Sequence, residues 1–193
     1  MRRGIVGSST RAPHYSFWKK QWELLTFLWT ATNIYQPGST ADKIASGNGL
    51  VYLFCTQEIA SSAVVSALAS TETTLTEKST FLGGNSIGST ATTSDGKVST
   101  SSVWSKAVGD YTFYAVIFAD NAVAEGGKYV VTATTSEIGW DNTTETLVGL
   151  GNQKTLTQTA GNWSTVAASV PEPTSGLLML LGFAGLALRR RRA

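Results

Sequence analysis

Hydrophobic positions fall along this chain in three patterns, and each predicts a different kind of element. The first is the short, nearly unbroken apolar run. Leu50-Val51-Tyr52-Leu53-Phe54-Cys55 is rich in β-formers and bounded by Gly47-Asn48-Gly49 and Thr56-Gln57-Glu58, which predicts a central strand. Tyr111-Thr112-Phe113-Tyr114-Ala115-Val116-Ile117-Phe118 is the strongest strand signal, apolar enough that both faces should be covered. Lys128 to Thr135 reads as its antiparallel partner, returning through Glu125-Gly126-Gly127. Ile59 to Ala69 favours a short helix by its periodicity, though a run this short also fits a strand. Thr71 to Ser102 is dominated by Ser, Thr and Gly and reads as solvent-facing strand or a Ser/Thr linker, with strand favoured. It has turn signals at Gly83-Gly84-Asn85 and at Asp95-Gly96, the latter a hairpin signal between Thr90–Thr93 and Val98–Trp104. Gly139 to Ser169 suggests one or two weak edge strands.

The second pattern lies near the start. Lys19-Lys20 leads into Trp22, Leu24, Leu25, Phe27, Leu28 and Trp29, interrupted by Glu23. It reads as an atypical export signal with Leu24–Ala31 as a short h-region, although Gly4 to Tyr15, after the basic Arg2-Arg3, is not a hydrophobic helix. It reads equally as an amphipathic helix, because Trp18, Trp22, Leu25 and Trp29 share one face at spacings of three and four. The sequence leaves both open. Gln36-Pro37-Gly38-Ser39 then predicts a turn and a linker.

The third pattern closes the chain. Val170-Pro171-Glu172-Pro173 stops any helix from running through, since two prolines fix φ and remove two backbone donors. Thr174 to Leu188 is almost free of polarity. Arg189, Arg190, Arg191 and Arg192 follow, placed to hold a helix end on an anionic cytoplasmic face. At ~1.5 Å per residue the apolar part spans only about 20–22 Å against roughly 30 Å of hydrocarbon, a gap that arginine snorkelling and bilayer thinning reduce.

Pro171-Glu172-Pro173, the Leu/Gly/Ala-rich run and the arginine cluster, in that order, resemble the PEP-CTERM sorting signal of bacterial exported proteins. The resemblance covers about residues 169–193. It implies export, a precursor held in inner-membrane lipid by one helix with its C-terminus cytoplasmic, and an exosortase-type enzyme acting near Pro171, Glu172 and Pro173. The product is then passed to the cell surface or extracellular matrix, with exopolysaccharide a further candidate partner. In this reading the three motif residues are recognised by an enzyme and catalyse nothing themselves.

Composition narrows the rest. Only 15% of residues are charged, which suits an exported β-rich protein better than a cytosolic enzyme. The net charge of +2 comes from the two ends. Between Gln21 and Val170 acidic residues outnumber lysines, which argues against a nucleic-acid-binding surface. Cys55 is the one cysteine and His14 the one histidine. No intrachain disulfide can form, a Cys–His nucleophile has no basic partner in the expected core, and a metal shell lacks ligands. Cys55, among apolar neighbours, is expected to be a buried structural thiol.

Glu58, Asp110, Asp120, Glu125, Glu137 and Asp141 are the carboxylates available for glycosidase chemistry, but most fall at turns. Trp104, Trp140 and Trp163 are candidates for stacking on a glycan, against the alternative that they fill the core. The expected organisation is an irregular or weakly helical region over 1–46, a small antiparallel β-sandwich-like domain over 47–168, and the sorting signal over 169–193, its transmembrane helix at 174–188. The expected role is structural or adhesive and non-enzymatic, with no cofactor and no metal. A carbohydrate-binding module is the alternative, and a secreted hydrolase stands behind it.

Overall fold

The computed structural model describes residues 24–140, 146–170 and Met179. In chain order the elements are β1 (Leu24–Thr32), β2 (Leu50–Cys55), α1 (Ser61–Ala69), α2 (Leu75–Asn85), β3 (Gly88–Ala91), β4 (Lys97–Ser105), β5 (Gly109–Tyr111), β6 (Phe113–Phe118), β7 (Lys128–Val131), β8 (Ile138–Trp140), β9 (Leu147–Asn152), α3 (Lys154–Gln158) and β10 (Ser164–Thr165), with a 3-10 turn at Ala160–Asn162 before β10. The protein is mostly β, as its apolar runs suggest.

Period-2 alternation explains the layering. In β6 every residue is buried. Phe113, Ala115 and Ile117 enter one core, while Tyr114, Val116 and Phe118 enter a second on the opposite face. The first core lies between a five-stranded sheet, ordered β10-β7-β6-β2-β3, and a three-stranded sheet, ordered β4-β1-β9. The second lies between the five-stranded sheet and helices α1 and α2, which contribute Val64, Leu68 and Leu82. The arrangement is a sandwich with a helical layer on one side, and α1 falls where the sequence favours a helix.

β6 and β7 pair antiparallel with Ile117 opposite Val130, and β2 pairs antiparallel with β6 throughout its length. Two expectations need correction here. β9 runs parallel to β1, so the sheets are not wholly antiparallel. The turn at Asp95-Gly96 forms, with Gly96 at φ +63°, but it does not build the expected hairpin. β3 pairs with β2 and β4 pairs with β1, so the turn carries the chain from one sheet to the other. A Cβ at Gly96 would meet the Ile34 carbonyl oxygen at 2.7 Å, so this crossing is closed to larger residues.

A third correction concerns the N-terminal stretch. The residues read as a signal h-region or an amphipathic helix form β1, which pairs with β4 over its whole length, from Leu24 opposite Ser105 to Thr32 opposite Lys97. Phe27, Trp29 and Ala31 are fully buried, and Thr26 and Leu28 face outward. This is strand alternation, and it places residues 24–32 in the folded core rather than in an irregular region ending at 46. The tract 75–85, read only as strand or linker, is α2. Its start is a capping box: Thr74 Oγ1 accepts from the Glu77 N–H at 3.3 Å, and Glu77 Oε2 accepts from the Thr74 N–H at 2.7 Å.

Among the described residues no helix is long and apolar enough to cross a membrane. Apart from Met179, the expected transmembrane helix at 174–188 lies outside the described residues, as do the arginine cluster, Pro171, Glu172, Pro173, His14 and Asp141.

Candidate functional site

Two places on the domain bear on function. The first is where the chain leaves it. After Trp163, whose Nε1 donates to the Thr157 carbonyl at 2.7 Å, β10 pairs with β7 through Ser164 opposite Tyr129. Past β10 the chain stays bound by its backbone. The Val166 N–H donates to the Gly127 carbonyl at 2.9 Å, and the Gly126 N–H donates to the Val166 carbonyl at 2.9 Å. The Ala167 N–H reaches the Leu68 carbonyl at 3.0 Å, and the Val170 N–H reaches the Thr71 carbonyl at 2.9 Å. Val166 is buried in the core beneath α1 and α2.

Two ionisable side chains grip the same segment. Lys78 of α2 is 2% exposed, and its Nζ donates to the Ala167 carbonyl. Glu125 Oε1 accepts from both the N–H of Ser169, at 3.1 Å, and its hydroxyl, at 2.9 Å. These bonds hold the Glu125 carboxyl below the usual carboxylate range, with nearby Lys78 adding to the effect. The described backbone is therefore held to the domain up to Val170, the residue before Pro171.

The second place is a cleft of about 320 Å3 between the end of α2 and β4, lined by Glu58, Asn85, Ser86, Val103, Trp104 and Lys106 among others. Lys106 Nζ lies 2.7 Å from Glu58 Oε1 and 5.7 Å from the centre of the Trp104 ring. Other polar groups here are also engaged, since Asn85 donates to the Phe81 carbonyl and Ser86 Oγ to the Gly83 carbonyl.

The three tryptophans separate on this geometry. Trp140 is 2% exposed, with Phe27 and Trp104 edge-on at 5.6 and 5.4 Å, and Trp163 is 7% exposed. Neither offers a free ring face, so their candidacy as stacking platforms is corrected: they fill the core, because burying a whole indole outweighs leaving it wet. Trp104 is half-buried against the same cluster and alone of the three borders the cleft.

Candidate chemistry elsewhere is sparse. Cys55 is fully buried, its Sγ donating to Gln57 Oε1 at 3.2 Å, and burial pushes its thiol up rather than toward the thiolate. The carboxyls with a resolved shift, Glu77 and Glu125, both move down, the opposite of what a general acid requires. Among the described residues no three His, Cys, Asp or Glu side chains cluster as metal ligands do. The clasp on residues 164–170 is what sequence reasoning missed. Only Val166, the one large apolar side chain between Trp163 and Val170, hints that this stretch is held.

No curated protein and no solved structure matches the chain. One family model does: residues 169–192 match the PEP-CTERM protein-sorting motif, so the chain carries at its C-terminus a sorting signal of the kind recognised by exosortase-type processing enzymes, and with it the mark of an exported protein.

Proposed function

We propose that this chain is an exported bacterial envelope or matrix component whose β-rich domain is the cargo and whose tail is the address. The observation that carries the reading is the match of residues 169–192 to the sorting motif, directly after a folded domain. In the precursor, residues 174–188 anchor the chain in inner-membrane lipid and Arg189 to Arg192 hold the C-terminus on the cytoplasmic side, where the anionic leaflet favours them. The processing enzyme acts near Pro171-Glu172-Pro173. The released domain passes to the cell surface or the exopolysaccharide matrix and serves there as a non-catalytic structural or adhesive element. What supports a non-catalytic role is the state of its polar groups: the cysteine is buried and the carboxyls with resolved shifts are stabilised in their charged form.

Cell fractionation with C-terminal mass mapping in the native host, comparing the natural chain with Pro171→Ala/Pro173→Ala, tests this. The natural chain should yield a mature species ending near Pro171 and leaving the membrane fraction, and the variant should stay full-length in the membrane. Full-length membrane protein in both would reduce the tail to an anchor.

A second reading rests on Trp104. A half-buried indole beside a carboxylate, an amide, a hydroxyl and an ammonium is the kind of wall a saccharide can stack on and hydrogen-bond to. Pull-down on host exopolysaccharide tests it. Binding that survives removal of the tail and fails with Asn85→Ala or Glu58→Ala favours a carbohydrate-binding role for this cleft.

A further inference from the structure

We propose that Lys78 and Glu125 are substrate-side positioning residues for the sorting reaction: they clasp residues 164–170 to the domain and thereby limit how readily Pro171-Glu172-Pro173 is drawn into the processing enzyme. This rests on the sorting reading above and adds to it a control point inside the cargo.

The clasp has three parts. Backbone bonds pin the segment at Val166, Ala167 and Val170, to partners in the β6–β7 loop, at the end of α1 and in the turn that follows it. The Val166 side chain is 1% exposed and plugs the layer under the helices. Two charged side chains from separate elements, Lys78 on α2 and Glu125 in the β6–β7 loop, then converge on residues 167 to 169. Hydrogen bonds with an ionised partner are roughly twice as strong as neutral ones, so these two contacts carry more of the hold than their number suggests. A lysine only 2% exposed is costly without an acceptor, and here its acceptor is a carbonyl of the exiting segment itself.

A processing enzyme binds its substrate as an extended segment on both sides of the bond it attacks. With the clasp closed, the backbone upstream of Pro171 is already committed to the domain through Val170. With the clasp open, the seven residues 164–170 can extend about 23 Å from the domain at ~3.3 Å each. Productive engagement therefore draws on the open population, and apparent affinity falls by that fraction. The prediction is a KM effect without a kcat effect.

The test compares full-length chains in membranes carrying the processing enzyme, alongside hydrogen exchange on the same chains. Glu125 is exposed, so Glu125→Ala leaves the core intact, and Lys78→Met keeps the buried stem. Both substitutions should speed exchange of the Ala167 and Val170 amides several-fold and lower the KM of processing by a similar factor, kcat unchanged. Glu125→Gln, which keeps an acceptor oxygen, should fall between. A short Gly/Ser linker inserted between Val170 and Pro171 should lower KM in the natural background and make both substitutions silent. Faster exchange without a change in KM, or a linker chain that still responds to Glu125→Ala, overturns the proposal while Pro171/Pro173 dependence stands. Processing indifferent to Pro171→Ala/Pro173→Ala overturns the sorting reading and this proposal together.

Discussion

The hydroxyl of Thr132 accepts the backbone N–H of Ala115 at 2.9 Å, just past the end of β7, while the Thr132 N–H donates to the Ala115 carbonyl at 2.9 Å. One residue thus satisfies both polar groups of a buried position on the central strand. Thr135 repeats the arrangement at Phe113, whose N–H it accepts at 3.0 Å and to whose carbonyl it donates at 2.8 Å. Two threonine hydroxyls therefore continue the ladder along β6 after β7 has stopped. Thr132→Val keeps the shape and removes the acceptor, which leaves a buried N–H without a partner. It should cost about 1–3 kcal/mol, read as a lower urea midpoint, whereas Thr132→Ser should cost far less. Equal loss in the two variants would mean the methyl group matters more than the oxygen.

The same two stretches show what sequence pattern conveys. β2, β6 and β7 are legible because their apolar runs exceed what one buried face needs, and burial on both faces is what such runs report. β1 was harder to recognise. Its alternation of Phe27, Trp29 and Ala31 with Thr26, Leu28 and Thr30 is a strand signal, but flanking Trp18, Trp22 and Leu25 extend a helical spacing across it, and the preceding lysines imitate an n-region. α2 carried its own marker, Thr74 three residues before Glu77, hidden within a Ser/Thr-rich tract of low hydrophobicity. The parallel β1–β9 pairing, the gathering of Trp104 and Trp140 and the clasp at Lys78 depend on contacts between residues far apart in sequence, which local pattern does not encode. The sorting motif is the opposite case, since an enzyme reads it as sequence.

Placing β1 in the core has a direct consequence. Trp29 is fully buried and its Nε1 donates to Ser102 Oγ at 3.0 Å, tying β1 to β4. Trp29→Ala should lose about 3–5 kcal/mol through the cavity it leaves. Truncation to Ile34 should abolish cooperative unfolding altogether, because it removes the middle strand of the three-stranded sheet. A truncated domain with a sharp thermal transition would show that β1 is dispensable, and would return residues 24–32 to the role of a removable leader.

Cys55 offers a probe of that core. Its thiol is buried and pushed up by desolvation, so native protein should react with iodoacetamide only through opening of the fold. Alkylation in native buffer at pH 8 should be slower than in urea by orders of magnitude and should accelerate in Trp29→Ala. Fast native labelling would mean that the β2 end of the sandwich opens locally.

Acid should loosen α2 before the sandwich. Glu77 is lowered from 4.5 chiefly by the Thr74 backbone N–H, and next by the Thr74 side chain. A carboxyl whose folded value lies below its unfolded value contributes its stabilisation fully above the unfolded value. That contribution fades as the pH falls through 4.5 and is gone below the lowered folded value. The capping box therefore weakens over that acid interval, as do the Ser169 contacts of Glu125, which shifts in the same direction. Because Glu77 is exposed, the effect belongs to the helix end and not to global stability. Hydrogen exchange at the Glu77 and Lys78 amides should rise between pH 5 and 3, after correction for intrinsic rates, while amides of β6 stay protected. Glu77→Gln should exchange faster at pH 7 and respond less to acid. Uniform loss of protection across β6 and α2 would instead mean that acid acts on the whole domain at once.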